Sequence, residues 1–436
     1  MGLLRAAGHQ LTSDPAAADA IVVNTCSFIG PAQQESVDAI LDLARFKKEG
    51  SARRLIVAGC LVERFRDEIQ AQVPEVDAVM GTNEVEEIVA ACEGRRVERR
   101  KQPYLYHEMT PRVLASPRHY AYIKIAEGCD HPCAFCIIPQ FRGAFRSRRP
   151  DSIVAEAAGL LSQGVREVNL VGQDTTSYGE DLGFKDGLAR LLEKLAVIET
   201  PEKKWIRFLY AYPNRINARL LDTLAAHDSL VKYIDMPLQH ASAAVLKRMK
   251  RGSSDELFLK LIERIRRSVP GVTLRTSMIV GFPGETDADF EQLCEFVREA
   301  RFDHLGVFCY SDEESSRSFH LDGKLGPRVI YNRKRRLMSI QRKISRANLR
   351  RKIASETEVL VEGPGKESDL LWEARLSGQA PEIDGVCYIT DFEGAAPRSG
   401  QIRRARITET HDYDLVVTLL QGGGDRSLPP VLGSAA

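Results

Sequence analysis

The chain has 436 residues, of which 43% are hydrophobic and 28% charged, with a formal net charge of +1 at pH 7. This length and composition suit a globular protein of two or three domains. No run of about 18 apolar residues is present, which excludes a membrane span, and the N-terminus lacks a signal peptide, so we expect a cytoplasmic protein. Nine cysteines in such a chain indicate metal or redox chemistry, or simple burial, rather than disulfides.

The first part of the chain, residues 1–108, alternates apolar runs with helical patterns. DAIVVNTC (19–26) and RLIVAGC (54–60) are typical of buried parallel strands, and QESVDAILDLARF (34–46) between them has helical spacing. AVMGTN (78–83) resembles the end of a third strand. These segments predict an α/β domain built from βαβ units.

The central part, residues 115–350, follows a linker at 93–118 and repeats a strand and a helix six times. Six such repeats predict a partial parallel (β/α)6 barrel, which carries its chemistry on the loops at the carboxyl ends of the strands. The predicted strands lie at 121–126, 167–171, 205–212, 231–238, 273–280 and 304–311.

The C-terminal part changes character. A basic helical stretch at 327–352 leads to residues 353–420, where five short β-like runs are separated by Gly, Pro and Asp turns. This pattern predicts a small β-barrel. The tail at 421–436 is rich in Gly, Ser and Pro, and we predict that it is disordered.

Three cysteines, Cys129, Cys133 and Cys136, lie in EGCDHPCAFCIIPQFRG, directly after the first strand of the predicted barrel. Iron–sulfur clusters take thiolate ligands, and three of them leave one iron of a four-iron cluster open. The alternative is a structural zinc site, which needs four closed ligands. His131 is the candidate fourth ligand, but it lies inside the tight loop with poor reach. The C-x3-C-x2-C spacing therefore favours a cluster with an open iron.

This spacing resembles the signature of the radical S-adenosylmethionine superfamily, in which an aromatic residue precedes the last cysteine, as Phe135 does here. The resemblance implies a [4Fe–4S] cluster whose open iron chelates the amino and carboxylate groups of S-adenosylmethionine. It also implies cleavage of this cofactor to a 5′-deoxyadenosyl radical, with the protein positioning and shielding it. No sequence feature names the electron donor, and no side chain is singled out as catalytic.

Loops after later strands fit a cofactor role. VGQDTTSYG follows the second strand and contains Gly172, Gln173 and Asp174, and it resembles the superfamily's glycine-rich acidic segment, which contacts the methionine amine of the cofactor. VGFPGET follows the fifth strand, where Gly281 and Gly284 allow close backbone approach. Turns also need glycine, so each loop alone is weak support.

Cys26 and Cys60 end the first two predicted strands, so both face the carboxyl edge of one parallel sheet. Burial as small hydrophobic residues is the alternative. NTCSF and VAGC resemble two of the three cysteine motifs of the methylthiotransferases, which implies a second, auxiliary [4Fe–4S] cluster. The first motif of that family, Gly-Cys-x-x-Asn after a strand, is absent from this sequence.

Two explanations of the absent motif stay open: the start lacks a strand and its cysteine, or the auxiliary cluster has one ligand fewer. We favour the first, because the opening segment is an amphipathic half-helix with no strand to pack against.

Charge bears on the partner. Residues 353–420 contain thirteen acidic and six basic residues, a net charge of −7. An RNA-binding barrel should be basic, whereas an acidic one attracts a basic protein. Alternatively the acids only keep the surface soluble. The basic helix at 333–352 could touch ribosomal RNA or form a solvated face between two domains, and we favour the solvated face.

VGQDTTSYG, MPLQHASAAVLKRMKR and QAPEIDGVCYI resemble the RimO branch of the methylthiotransferases, and the C-terminal barrel resembles a TRAM domain. The resemblance covers almost the whole chain. It implies methylthiolation of the β-carbon of an aspartate in the twelfth small-subunit ribosomal protein, with the methyl group from S-adenosylmethionine. The rivals are a tRNA base methylthiotransferase, which usually has Asn where Asp174 stands, and a non-enzymatic ribosome-binding metal protein.

Overall fold

The computed structural model describes residues 1–99, 103–365 and 371–421. Within these residues, no helix combines the length and apolar character needed to cross a membrane. The prediction for the tail concerns residues that, apart from Gln421, lie outside the described part of the chain. The same holds for three charged residues of the C-terminal count, Lys366, Glu367 and Asp369.

The N-terminal region forms a three-stranded parallel sheet in the order β1-β2-β3, with Thr25 opposite Gly59 in the register of β1 and β2. Apolar side chains of β1 and β2, such as Val23 and Val57, pack against the helices between the strands. The elements are α1 (Gly2–Ala6), β1 (Ala20–Thr25), α2 (Gly30–Ala44), α3 (Phe46–Glu49), β2 (Arg54–Gly59), α4 (Cys60–Gln72), β3 (Ala78–Met80) and α5 (Ile88–Cys92).

The predicted partial barrel is confirmed as a curved wall of six parallel strands. Two three-stranded sheets, β4-β7-β8 and β9-β10-β11, meet where the Val231 amide donates to the Ile206 carbonyl (3.0 Å). The elements are β4 (Tyr120–Lys124), β5 (Ala126–Glu127), α6 (Ile138–Arg142), β6 (Arg146–Ser147), α7 (Pro150–Ser162), β7 (Glu167–Val171), α8 (Gly187–Ala196), β8 (Trp205–Phe208), α9 (Ala218–Ala226), β9 (Tyr233–Asp235), α10 (Ala243–Arg248), α11 (Asp255–Ser268), β10 (Thr273–Val280), α12 (Asp287–Ala300) and β11 (His304–Cys309).

Local signals place several of these helices. The Ser254 hydroxyl caps α11 by accepting from the Leu257 amide, and acidic residues follow in its first turn. Thr286 and Asp289 form a reciprocal capping box at the start of α12. Strand β8 is shorter than the predicted run 205–212, because Tyr210 adopts a left-handed φ of 61° and turns the chain away from the sheet.

The C-terminal region closes into a five-stranded barrel in the order β12-β13-β14-β16-β15, which confirms the predicted small β-barrel. It follows a long helix that packs on β11 and α12, so the basic stretch is a bridge between the two barrels. The elements are α13 (Pro327–Arg350), β12 (Glu356–Pro364), β13 (Trp372–Leu376), β14 (Cys387–Phe392), β15 (Ile402–Thr410) and β16 (Leu415–Leu419).

One segment of the small barrel, residues 377–384 between β13 and β14, fills the inner side of the half-barrel. Hydrogen bonds and ion pairs reach it from five of the six strands. They join Tyr120 to Glu382, Tyr122 to the Pro381 carbonyl, Arg207 to the Ser377 and Gln379 carbonyls, Tyr233 and Arg275 to Asp384, and His304 to the Gly378 carbonyl.

The remaining strand, β7, contacts the small barrel through the fully buried carboxylate of Glu167. Glu167 accepts from Arg207 of β8 (2.9 Å) and from Arg375 of β13 (2.6 Å), and none of its side chain is exposed. Arg375 also pairs with Glu362, which contacts His119 (2.6 Å). Burial alone raises the pKa of Glu167, but the two guanidinium groups outweigh it and hold the pKa below its usual value.

These contacts change what the net charge of the small barrel implies about its partner. The following acids contact residues outside the barrel: Glu362, Glu382 and Asp384 on the half-barrel, Glu358 with Lys203, and Asp412 with Arg342 and Arg346 of α13. The net charge of −7 therefore overstates the negative charge that this barrel offers to a partner.

We expect Glu167→Gln to destabilise the protein by about 3–5 kcal/mol, because it leaves two buried arginines with one carboxylate fewer. Glu358→Gln is the matched control, since the Glu358–Lys203 pair is exposed and contributes no more than about 1 kcal/mol. Chemical denaturation of the metal-free protein measures both. Equal midpoints for the two variants would show that the buried network does not stabilise the fold.

Candidate active site

The cysteine loop leaves the half-barrel after β4 and is closed at its base by a short antiparallel ribbon. Strand β5 pairs with β6, and the Cys129 amide donates to the Gly143 carbonyl (3.2 Å). Gly128 has a φ of +80°, and a Cβ there would lie 2.2 Å from the Ala144 carbonyl oxygen. Only glycine fits this crossing, so the residue before the first cysteine is fixed by the ribbon.

The three thiols lie in a dry environment. Cys129 and Cys133 are 9% exposed and Cys136 is half-buried. Burial raises the pKa of Cys129 to about 11 and that of Cys136 to about 12. Such thiols become thiolates when a metal centre replaces the proton. The three thiols are close enough that each of Cys129 and Cys136 also has its pKa raised by its cysteine neighbours, and three soft sulfur donors together fit an iron–sulfur cluster.

No group of three or more His, Cys, Asp and Glu side chains in residues 1–99, 103–365 and 371–421 is arranged to hold a single metal ion. His131, the candidate fourth zinc ligand, is engaged elsewhere. Its Nε2 lies 2.6 Å from Asp174 Oδ2, and its ring stacks on Tyr212 with 3.8 Å between the centroids.

Asp174 and Gln173, which are neighbours in the loop after β7, differ in their hydrogen bonding. Asp174 is 1% exposed and accepts from His131, from the Thr176 amide and hydroxyl, and from the Ser177 hydroxyl. Burial raises its pKa, but these hydrogen bonds outweigh it and lower the pKa below its usual value. Gln173 differs, because its buried Oε1 has no hydrogen-bond partner among the residues that the structure describes. A Cβ on Gly172 would approach Ala126 no closer than 3.6 Å.

The glycines after β10 are explained by packing. Gly281 and Gly284 have φ values of +82° and +84°. A Cβ on Gly281 would lie 2.4 Å from Ile330 of α13, and one on Gly284 would lie 2.7 Å from Arg248 of α10. The predicted cofactor role of these glycines therefore has a competing structural reason. Phe135 packs half-buried against the main core.

Arg251 is a site residue that the sequence analysis missed. Its Nη1 lies 3.5 Å from Cys133 Sγ, its Nη2 donates to the Pro237 carbonyl (2.7 Å), and its guanidinium lies over the Tyr212 ring. A cation here favours a negatively charged cluster. Because 118 positions separate Arg251 from Cys133, no local motif connects them.

Cys26 and Cys60 lie side by side. Cys26 follows β1 and Cys60 follows β2, one position beyond the paired residues Thr25 and Gly59. Cys60 begins α4 rather than ending a strand, because Gly59 with a φ of +107° turns the chain into the helix. The prediction that both cysteines face one sheet edge agrees with this register.

The two cysteine regions touch through Arg142, the last residue of α6. Its Nη2 donates to Cys60 Sγ (3.1 Å), and its Nη1 donates to Glu127 (3.0 Å), which also pairs with Lys124. Burial raises the pKa of Glu127, but Lys124 and Arg142 outweigh it and lower the pKa. Arg142 thus joins the loop of Cys129, Cys133 and Cys136 to the N-terminal sheet. Both Glu127 and Arg142 flank the cysteine motif, which is the signal that could have identified them.

Comparison with protein families divides the chain into three matches. Residues 1–81 match the uncharacterized protein family UPF0004, residues 123–297 match the radical SAM superfamily, and residues 353–420 match the TRAM domain. Among solved structures, the radical S-adenosylmethionine methyltransferase TsrM from Kitasatospora setae superposes with a TM-score of 0.51 at 15% identity, over 66% of this chain and 61% of that one. This likeness shows the fold.

Curated relatives are much closer in sequence. The ribosomal protein uS12 methylthiotransferase RimO of Solibacter usitatus is 67% identical over 96% of this chain and 90% of its own length. The proteins of the same name from Koribacter versatilis and Sorangium cellulosum are 54% and 45% identical, over 96% and 99% of this chain and 92% and 90% of theirs.

Radical SAM membership implies a [4Fe–4S] cluster and S-adenosylmethionine as cofactors, and the match makes this chain an enzyme. The similarity extends over all three regions and nearly the full chain. The chain belongs to the RimO family of ribosomal protein uS12 methylthiotransferases, within the radical SAM superfamily.

Proposed function

We propose that the chain inserts a methylthio group at the β-carbon of an aspartate in the ribosomal protein uS12, using two iron–sulfur clusters on adjoining edges of two domains. The observation that carries this proposal is the contact of Arg142 with Cys60 (3.1 Å). It brings a cysteine of the N-terminal sheet against the loop of Cys129, Cys133 and Cys136. A reaction that couples a substrate radical to sulfur transfer needs both sites within reach of one carbon.

In this proposal, Cys129, Cys133 and Cys136 would hold the first cluster, which would bind S-adenosylmethionine. When bound, the cofactor supplies the radical that removes hydrogen from the substrate. Gln173 offers its unpartnered Oε1 to the amino group of the cofactor. Asp174 fixes His131 against Tyr212 beside the cysteine loop.

Cys26 and Cys60 would supply two of the ligands of the auxiliary cluster. Cys26 is exposed at the sheet edge, and Cys60 already receives a hydrogen bond from Arg142. The substrate assignment is supported by the shared name of relatives that are 45–67% identical to this chain.

Cys133→Ala should abolish radical formation, because it removes one of the three cysteines of the loop that would hold the first cluster. After anaerobic reconstitution, we expect the variant to lose about four of about eight irons and to form no 5′-deoxyadenosine. Cys92→Ala, in α5 and away from the loop, is the control and should keep both. Retention of 5′-deoxyadenosine formation by Cys133→Ala would contradict the assignment of this loop.

Cys60→Ala should separate radical formation from sulfur transfer. We expect continued formation of 5′-deoxyadenosine but loss of about four irons and of the methylthio product. Mass spectrometry of uS12 after incubation with the wild-type protein and with Cys60→Ala measures the product.

A parallel incubation with tRNA tests the rival substrate. A methylthio mark on tRNA, with uS12 unmodified by the wild-type protein, would overturn the choice of substrate. Full methylthio transfer to uS12 by Cys60→Ala would instead show that Cys60 is not a cluster ligand.

A further inference from the structure

The loop that follows β11 carries a buried carboxylate that the reaction described above does not use. Glu313 is 6% exposed, and it accepts hydrogen bonds from its neighbour Ser311 (2.8 Å) and from three groups of the N-terminal region. A carboxylate is seldom buried unless donors compensate for its lost hydration. The carboxylate of Glu313 therefore holds the N-terminal region against the half-barrel.

The first of these groups is the start of α2. The Gly30 amide donates to Glu313 Oε1 (2.6 Å), and Gln33 of the same turn donates to Oε2 (2.9 Å). The residue before α2, Ile29, provides no side-chain cap. Helix N-termini carry free amides and a partial positive charge, and a carboxylate satisfies both. Glu313 thus caps α2 from the other side of a domain boundary.

The second group is on α4. Arg64 Nη1 lies 3.2 Å from Glu313 Oε2, with the two side chains 11% and 8% exposed. Helix α4 begins at Cys60, and α2 begins four positions after Cys26. One carboxylate of the half-barrel consequently binds both helices that directly follow the two cysteines of the N-terminal sheet.

The Glu313 loop is also fixed to the three-cysteine loop. The Ser318 amide donates to the Ala134 carbonyl (2.9 Å), and Gln140 of α6 donates to the Ser315 carbonyl (2.6 Å). Residues 311–318 therefore touch the three-cysteine loop on one side and the helices after Cys26 and Cys60 on the other.

The donors also fix the charge of this group. Burial raises the pKa of Glu313, but the hydrogen bonds from Ser311, Arg64, Gly30 and Gln33 outweigh it and lower the pKa below its usual value. The carboxylate is ionised at neutral pH, so its hydrogen bonds to Gly30 and Arg64 are charge-assisted.

We propose that Glu313 is a positioning residue that holds the turns of Cys26 and Cys60 against the three-cysteine loop and so couples sulfur transfer to radical formation. The coupling part rests on the proposed function, whereas the docking part concerns the protein without its cofactors. Arg142 joins the same two regions separately, through Cys60, so loss of Glu313 loosens the arrangement without separating the domains.

Glu313→Gln and Glu313→Ala test the proposal, with Glu314→Gln as the matched control, because Glu314 is the exposed neighbour. The glutamine amide cannot accept from Arg64 or Gln33 with its nitrogen. In the cofactor-free protein, hydrogen–deuterium exchange of the peptide at 27–36 should become about tenfold faster in both Glu313 variants and unchanged in the control.

The second measurement is the ratio of methylthiolated uS12 to 5′-deoxyadenosine in the reconstituted protein. We expect 5′-deoxyadenosine formation to persist while the ratio falls about tenfold or more, with Glu313→Asp restoring part of it because the charge is kept. Faster exchange with an unchanged ratio would show a purely structural contact and overturn the proposal. Unchanged hydrogen–deuterium exchange would also overturn the proposal. So would an equal loss of methylthiolated uS12 and 5′-deoxyadenosine in all Glu313 variants.

Failure of the wild-type protein to modify uS12 would count against the proposed function alone. The exchange measurement on the cofactor-free protein would still decide whether Glu313 docks the N-terminal region.

Discussion

A parallel half-barrel leaves its inner side uncovered, and in this chain the C-terminal barrel covers part of it. The inner side chains include Tyr120, Arg207 and Tyr233, whose polar atoms need partners once water is excluded. Residues 377–384 of the C-terminal barrel provide partners for Tyr120, Tyr233 and Arg207 Nη2, whereas Arg207 Nη1 has none among the described residues. Glu167 completes the arrangement by compensating two arginines from different barrels. The position of the small barrel is therefore set by polar satisfaction inside the half-barrel.

At the other end of the half-barrel, charged side chains join it to the N-terminal region. The carboxyl ends of the half-barrel strands carry the cysteine loop, and the N-terminal sheet meets that loop through Arg142 and through Glu313. These contacts are charge-assisted and largely buried, which gives them direction as well as energy. Apolar packing alone would tolerate small shifts between domains, whereas a carboxylate with four donors has a defined geometry. Two sites that act on one carbon need that definition.

Local patterns were sufficient for the parts of the fold that local forces determine. Apolar runs predicted the strands, and five short runs predicted the closed barrel, because alternation and turn residues act over a few positions. The cysteine spacing predicted the radical SAM loop for the same reason. Strand β8 ended early at Tyr210 and Cys60 began a helix, because both outcomes depend on single backbone conformations, at Tyr210 and Gly59.

Long-range pairs could not be predicted in this way. Arg251 reaches Cys133 across 118 positions and Glu313 reaches Gly30 across 283, so no window of sequence contains both partners. Counting acids in the C-terminal barrel gives its net charge but, for a related reason, not which of the acids face a partner. A charge count does not distinguish Asp384, which faces buried tyrosine and arginine, from an acid that faces solvent.

The long reach of the Glu167 network has a consequence for biosynthesis. Glu167 and Arg375 are 208 positions apart, so the ribosome completes all six strands of the half-barrel well before Arg375 is made. During that interval, the emerging half-barrel holds Glu167 and Arg207 without their third member, and its inner wall is unfilled. The paired strands of such a chain lie far apart in sequence, and its interior surface is exposed. Both conditions favour chaperone binding. The half-barrel therefore reaches its final packing only after the last domain leaves the ribosome.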